Sequence, residues 1–189
     1  MNKNASIICL TETHLNEKVL DDEILKEGWN IARCDRTKRQ CGGVLCFVKN
    51  ELPIGEKFSY STSVCEILGI YLPSINLVNI TVYRPPNSNY EHFNTVIVKI
   101  KNWLSELEDK NIFPTIVLNG DFNFRFMTDW SHQERVSFMS SIDSRIDDGK
   151  AISDEKRQAR LLCDVTQDLF LNQFISESTR GSNILDLMF

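Results

Sequence analysis

From Tyr90 to Leu107 the residues Tyr90, Phe93, Val96, Ile97, Ile100, Leu104 and Leu107 return at intervals of three and four, the strongest helical period in the chain. An apolar stripe of that length has to be buried. The β-branched run Thr115-Ile116-Val117-Leu118 follows it and reads as a buried strand, so the helix is expected to pack on the sheet that contains this strand. Further strands are expected over residues 6–10, 29–33, 42–48, 65–72 and 76–83 and in the apolar stretch after Asn183. Shorter helices are expected over 18–27, closed by Gly28, and over 157–170, with one more around 133–140 inside a polar excursion that spans 127–150. The alternation of strands and helices, with strands in excess, predicts a layered α/β fold on mixed sheets.

A chain of 189 residues, 42% hydrophobic and 25% charged, is expected to form a single domain over 1–189 with a substantial core. The formal net charge of −5 argues against a protein that coats nucleic acid by bulk attraction and leaves room for a local basic strip. Six cysteines include no Cys-x-x-Cys pair, and several sit inside apolar runs such as Ile8-Cys9-Leu10 and Leu45-Cys46-Phe47. That pattern suits reduced, buried thiols of an intracellular protein better than zinc ligands or a disulfide scaffold. The first residues lead straight into a strand without a signal-peptide pattern, and no apolar run approaches the roughly 20 residues that span a bilayer, so no membrane contact is expected.

The chemistry-bearing side chains sit where strands are expected to end. Asn119-Gly120 after the buried run reads as a turn at the strand tip. If the backbone stays extended for one more step, Asp121 and Asn123 project to one side and Phe122 into the core. A carboxylate beside a neutral amide suits phosphate chemistry, since the first orients water or holds a hard cation and the second bonds a phosphate oxygen. The same residue types also build turns for conformational reasons alone. Glu12 lies at the end of the first strand, and Tyr83 ends the strand that Pro85-Pro86 stops, its phenol able to meet a phosphate or to sit buried with a satisfied hydroxyl. Asp186 stands in the middle of an apolar strand and is expected to have a partner there. The densest basic cluster, 33–39, offers Arg36, Lys38 and Arg39 either to a phosphate backbone or simply to solvent.

Five stretches taken together, Ile8-Cys9-Leu10-Thr11-Glu12-Thr13-His14-Leu15, Gly42-Gly43-Val44, Val82-Tyr83-Arg84-Pro85-Pro86-Asn87, Asn119-Gly120-Asp121-Phe122-Asn123 and Ser182-Asn183-Ile184-Leu185-Asp186-Leu187, resemble one family in order and spacing. It is the endonuclease/exonuclease/phosphatase superfamily, the DNase I-like proteins, and within it the endonuclease domain of LINE-type non-LTR retrotransposons. The resemblance implies a four-layer α/β sandwich of two packed mixed β-sheets flanked by helices, and Mg²⁺-dependent nicking of DNA. It further implies that Glu12 is the metal ligand, Tyr83 contacts the scissile phosphate, Asp121 positions the attacking water, Asn123 binds phosphate and Asp186 pairs with a catalytic histidine. Implied partners are DNA and a reverse transcriptase encoded by the same element, with no small-molecule organic cofactor and a nuclear site of action.

The sequence also departs from the family. The strand bearing an asparagine upstream of the glutamate and the closing Ser-Asp-His segment are expected to be absent, so the chain reads as a domain trimmed at both ends. None of His14, His92 and His132 matches the family's catalytic histidine, and Cys41 stands where related elements often carry glycine. Whether the chain is an enzyme is therefore open at this point, with a phosphomonoesterase or phospholipase of the same superfamily, or a non-catalytic remnant, as alternatives.

Overall fold

The computed structural model describes residues 5–36, 42–62, 65–181 and 183–189. Its elements run β1 (Ile7–Thr11), α1 (Asp21–Ile24), β2 (Trp29–Cys34), β3 (Val44–Lys49), β4 (Glu56–Ser61), β5 (Glu66–Leu72), β6 (Leu77–Tyr83), α2 (Tyr90–Asp109), β7 (Thr115–Asp121), α3 (His132–Asp147), α4 (Asp154–Asp168) and β8 (Asp186–Met188). β1, β3 and β2 form a three-stranded antiparallel sheet, and β4-β5-β6-β7-β8 a five-stranded one that is antiparallel except where β6 meets β7. The expectation of two mixed sheets is met by the larger one, while the described part of the smaller is antiparallel throughout.

The parallel pair follows from α2, because two parallel neighbours need a crossover long enough to return the chain to its starting edge. Asn89 starts this helix by accepting the His92 N–H at 3.0 Å. Asn111 ends it in the left-handed region at φ 58, where the Ile112 N–H reaches back to the Leu107 carbonyl at 2.9 Å. Its buried stripe adds Trp103 to the expected Phe93, Val96, Ile97, Ile100, Leu104 and Leu107, whereas Tyr90 stays half-exposed. Full burial of each large apolar side chain favours the fold by about 1.5–3 kcal/mol before conformational entropy is counted.

Strand alternation divides the core in two. Val78, Ile80 and Val82 of β6 face α2 and α4, with Leu118 and Leu187 beside them. Leu68, Ile70, Leu72 and Tyr83 face the other way and meet Ala32, Cys34, Val44, Cys46 and Val48 of the smaller sheet. The outer face of that sheet is covered by Leu15 and by Ile24 of α1. The layers are thus helices, sheet, sheet and a thin cover.

Three local expectations change. The helix expected over 18–27 is the single turn α1 without a fully buried residue, and Leu20 and Leu25 are exposed. So short an apolar stripe does not offset the cost of starting a helix. The polar excursion holds a helix of 16 residues, capped by Ser131, whose hydroxyl accepts the Glu134 N–H, although only Arg135 and Ile142 on it are buried. β4 was not expected from the sequence, because its apolar residues Phe58 and Tyr60 are only partly buried at a sheet edge.

Phe58 stacks on Trp103 at 5.5 Å, and Trp103 lies across Gly69, where an added Cβ would stand 2.4 Å from the indole. Gly69→Ala is expected to destabilise the protein by about 1–3 kcal/mol through overpacking, read as a lower urea midpoint. An unchanged midpoint would mean that the α2 indole does not rest on β5.

Candidate active site

Four of the residues singled out from the sequence meet at one end of the two sheets. Parallel pairing sets Tyr83, the last residue of β6, opposite Asp121, the last of β7, and antiparallel pairing sets Asp186 of β8 on the other side of Asp121. Residues in register on neighbouring strands share a sheet face, so the three side chains lie in a row. The row is on the inward face, because Asn119, two residues before Asp121, donates to Asn79 Oδ1 between the sheets at 2.8 Å. Glu12 arrives from the smaller sheet, directly after β1, and its Oε1 accepts the Tyr83 hydroxyl at 2.5 Å.

Local backbone choices set these positions. Glu12 and His14 have φ of 53 and 56, in the left-handed region that such residues seldom adopt. The His14 N–H donates to the Gly42 carbonyl at 2.9 Å, and a Cβ on Gly43 would stand 2.5 Å from Thr13 Oγ1. The Gly42-Gly43 pair therefore makes the room in which the Glu12 turn is held. Gly120 does the same at the other strand: it lies inside β7, with φ 138, and a Cβ there would sit 1.9 Å from the Val82 carbonyl oxygen. Asn119-Gly120 is consequently a close strand contact rather than the expected turn, and the strand continues to Asp121.

The electrostatics follow from this crowding. Burial first, and the neighbouring Asp186 carboxylate second, push Asp121 up to about 6, with Glu12 adding to the effect and hydrogen bonds from Asn123 opposing it. Burial, then acceptance of its proton by Glu12, holds the Tyr83 phenol well above its ordinary range, so Tyr83 is a neutral donor. A carboxylate that titrates near neutrality beside a phenol donor is suited to proton transfer at physiological pH.

The remaining sequence expectations are placed differently. Asn123 does not extend the strand but turns with φ 51, is 3% exposed, and donates from Nδ2 to the Arg84 carbonyl at 3.0 Å. Its backbone N–H donates to Asp121 Oδ1 at 3.1 Å, so it steadies the carboxylate instead of offering its amide outward. Asp186 is exposed, which corrects the expectation of a desolvated carboxylate in need of a partner: β8 is short and lies at the sheet edge. Arg36, expected in a loop that touches DNA, is turned inward and bound by both oxygens of the buried Glu66 carboxylate, with Nη2 to Oε2 at 2.8 Å, and lies over the Tyr83 ring at 5.4 Å. Lys38 and Arg39 lie outside the described residues.

Among the buried polar residues that escaped the sequence reading, Arg84 and its partner Gln158 bear on the site. Arg84, fully buried, donates from Nε to Gln158 Oε1 at 2.7 Å and from Nη1 to the Phe122 carbonyl at 2.7 Å, and its guanidinium covers the Phe124 ring at 4.2 Å. It fixes the chain just beyond Asp121. The signal was present in the alternation of β6, which directs Arg84 to the side opposite Tyr83 and hence towards the helices.

No family model matches the sequence, and neither does any curated protein. Solved structures do match the fold. The endonuclease domain of TRAS1, a telomere-specific non-LTR retrotransposon, is 14% identical with a TM-score of 0.53, covering 98% of this chain and 71% of that one. AP endonuclease LMAP from Leishmania major is 13% identical with a TM-score of 0.55, over 98% of this chain and 69% of its own. An AP endonuclease from Archaeoglobus fulgidus is 12% identical with a TM-score of 0.54, over 97% and 75%. At such identities the likeness is one of architecture, and the chain has the DNase I-like fold.

Because Asp121 titrates higher in the folded chain than its ordinary 3.8, folding favours its protonated form. That contribution is complete below the unfolded value and is lost as pH rises through about 6. Thermal melts of the wild type and Asp121→Asn are expected to converge in acid and separate above this range, with the variant the more stable at neutral pH. A difference independent of pH would remove carboxylate crowding from the site.

Proposed function

We propose that this chain is a metal-assisted phosphodiesterase acting on DNA, the endonuclease domain of a non-LTR retrotransposon. The observation that carries the reading is the row Tyr83, Asp121 and Asp186 on three paired strands, met by Glu12 from the facing sheet at the open end of a DNase I-like sandwich.

Among the described residues no three carboxylate, imidazole or thiol groups converge closely enough to hold a metal ion unaided. Mg²⁺ does not require that, since one or two carboxylates commonly hold it while waters and substrate phosphate complete the shell. Glu12 and Asp121 are hard oxygen donors whose mutual repulsion contributes to the raised Asp121 pKa, and a cation would relieve it. The donor set fits. Bound Mg²⁺ withdraws charge from the phosphoryl group and steadies the leaving oxygen.

Glu12 would hold the ion, with Asp121 next to it. Asp121 takes the proton of the attacking water, with Asp186 keeping it basic enough to do so and the Asn123 N–H keeping it oriented. Tyr83, whose hydroxyl hydrogen goes to Glu12 in the free chain, would turn it to a phosphate oxygen when Glu12 holds the ion. Lys38 and Arg39 supply contacts to the phosphate backbone, whereas Arg36 acts from within by supporting Tyr83. The proposed setting is the nucleus, beside a reverse transcriptase of the same element. No described helix is long and apolar enough to cross a membrane.

Supercoiled plasmid incubated with Mg²⁺ is expected to acquire nicks, and Asp121→Ala is expected to reduce their rate by about 10³-fold or more. Calorimetric titration of Mg²⁺ is expected to show weaker binding to Glu12→Gln. Equal affinity for both chains would remove Glu12 from the site. Hydrolysis of a small phosphomonoester with intact plasmid would select the phosphatase alternative.

Lys38→Ala and Arg39→Ala are each expected to flatten the salt dependence of DNA binding by about one unit of slope. Arg36→Ala is expected instead to lower stability by about 3–5 kcal/mol, because Glu66 is left as an uncompensated buried charge. A stable Arg36→Ala protein with a flattened slope would return Arg36 to the DNA-contacting surface.

A further inference from the structure

The space between the sheets is polar at one place. Cys9 of β1 and Cys46 of β3 are directly opposed in the antiparallel register, and the Cys46 thiol donates to Cys9 Sγ at 3.4 Å. Asn79 Nδ2 donates to Cys9 Sγ at 3.3 Å and to Thr81 Oγ1 at 3.1 Å, and Cys46 Sγ lies 3.4 Å from the same Thr81 hydroxyl. The sulfurs differ in access. Cys46 is fully buried, while Cys9 is half-buried and lines a cavity of about 470 Å³ between the sheets, together with Thr11, Asn79 and Asn119.

We propose that Cys9 is a thiol that reacts with small hydroperoxides, and that Cys46 resolves the product as a disulfide stapling β1 to β3. Opposed residues of an antiparallel pair have Cα atoms about 4.5–5.5 Å apart, inside the roughly 4.4–6.8 Å that a disulfide spans. Closure therefore asks for rotation of two side chains and little of the backbone. In the first step the Cys9 thiolate attacks one peroxide oxygen: the S–O bond forms, the O–O bond breaks, sulfur loses two electrons, and the departing oxygen leaves as water or alcohol after taking up a proton. In the second step Cys46 sulfur attacks the sulfenic sulfur of Cys9, and the hydroxide leaves as water with the Cys46 proton.

The surroundings favour this division of labour. The hydrogen bond from Cys46, helped by Thr81, Asn79 and Asn119, outweighs burial and holds the Cys9 thiol below its ordinary range. Cys46 keeps its proton, its thiol pushed well up by the hydrogen bond it gives to Cys9 and by burial. Cys34, Cys65 and Cys163 are each pushed up to about 11, chiefly by burial, and have no such role.

The test treats the whole chain with hydrogen peroxide, quenches it with a thiol-alkylating reagent in denaturant, and maps peptides by mass spectrometry without reduction. The expected product takes up two alkyl groups fewer than the reduced chain and contains a Cys9–Cys46 cross-linked peptide about two mass units lighter than its two component peptides summed. Cys46→Ser is expected to stop at a Cys9 sulfenic acid that dimedone traps, and Cys9→Ser is expected to lose the fast reaction with peroxide. The cross-link should also raise the melting temperature of the wild type, an effect that a reductant reverses. A first-formed disulfide that omits Cys9 or Cys46, or equal peroxide reactivity in Cys9→Ser, would overturn the assignment. Wild-type peptide mapping decides the question even if a serine variant folds poorly.

Discussion

The mouth of the sandwich depends on the parallel contact between β6 and β7 and on the way Arg84 closes it. Gly120 lets the Val82 carbonyl approach more nearly than any side chain would permit, which carries β7 one residue further to Asp121. The Arg84 N–H then donates to the Asp121 carbonyl at 2.8 Å, its Nη1 to Phe122, and its own carbonyl accepts the Asn123 amide. Gln158 of α4 holds the guanidinium from the helix layer. A burial cost of several kcal/mol for this cation is opposed by these bonds, which tie the loop after Asp121 to the helix layer.

A second buried cation supports the site from the other sheet. Arg36 binds Glu66 and covers Tyr83, and Tyr83 in turn donates to Glu12. The chain of contacts runs from a buried carboxylate through a guanidinium and a phenol to the carboxylate at the mouth. This arrangement puts a neutralised ion pair behind the site and leaves the negative charge at its front. Any anionic group approaching that front needs it neutralised locally, by a cation or by basic residues around the rim.

The core between the sheets is less apolar than its layered plan suggests. Asn79, Thr81 and Asn119 replace aliphatic residues on the inward face and satisfy one another and the Cys9 and Cys46 sulfurs. Polar residues in a sheet interior persist when each finds a partner. Their position beneath Asp121 ties the packing of the sandwich to the chemistry at its mouth.

How much of this was legible in the residues is clearest at particular positions. The periodicity of Tyr90 to Leu107 is a local property that determined a helix and most of its buried face, and the β-branched run after it determined a strand, of which Leu118 alone is fully buried. Glu12, Tyr83, Asp121 and Asp186 were tied to one site only through the five stretches that resemble the DNase I-like family, and strand pairing brings the four to one end of the sheets. What the sequence could not contain was the direction of side chains whose partners lie far away in the chain. Arg36 meets Glu66 and Arg84 meets Gln158 only because sheet and helix packing bring them together, so an apparent surface arginine became a buried support. Asn123 left the expected row because its amide found the Arg84 carbonyl, and Asp186 stayed exposed because β8 is a short edge strand. The pattern of apolar spacing determined most of the helices and strands, though not β4 or the shortness of α1. Tertiary packing decided which polar groups lose their water, and with that the protonation of Asp121 and Cys9.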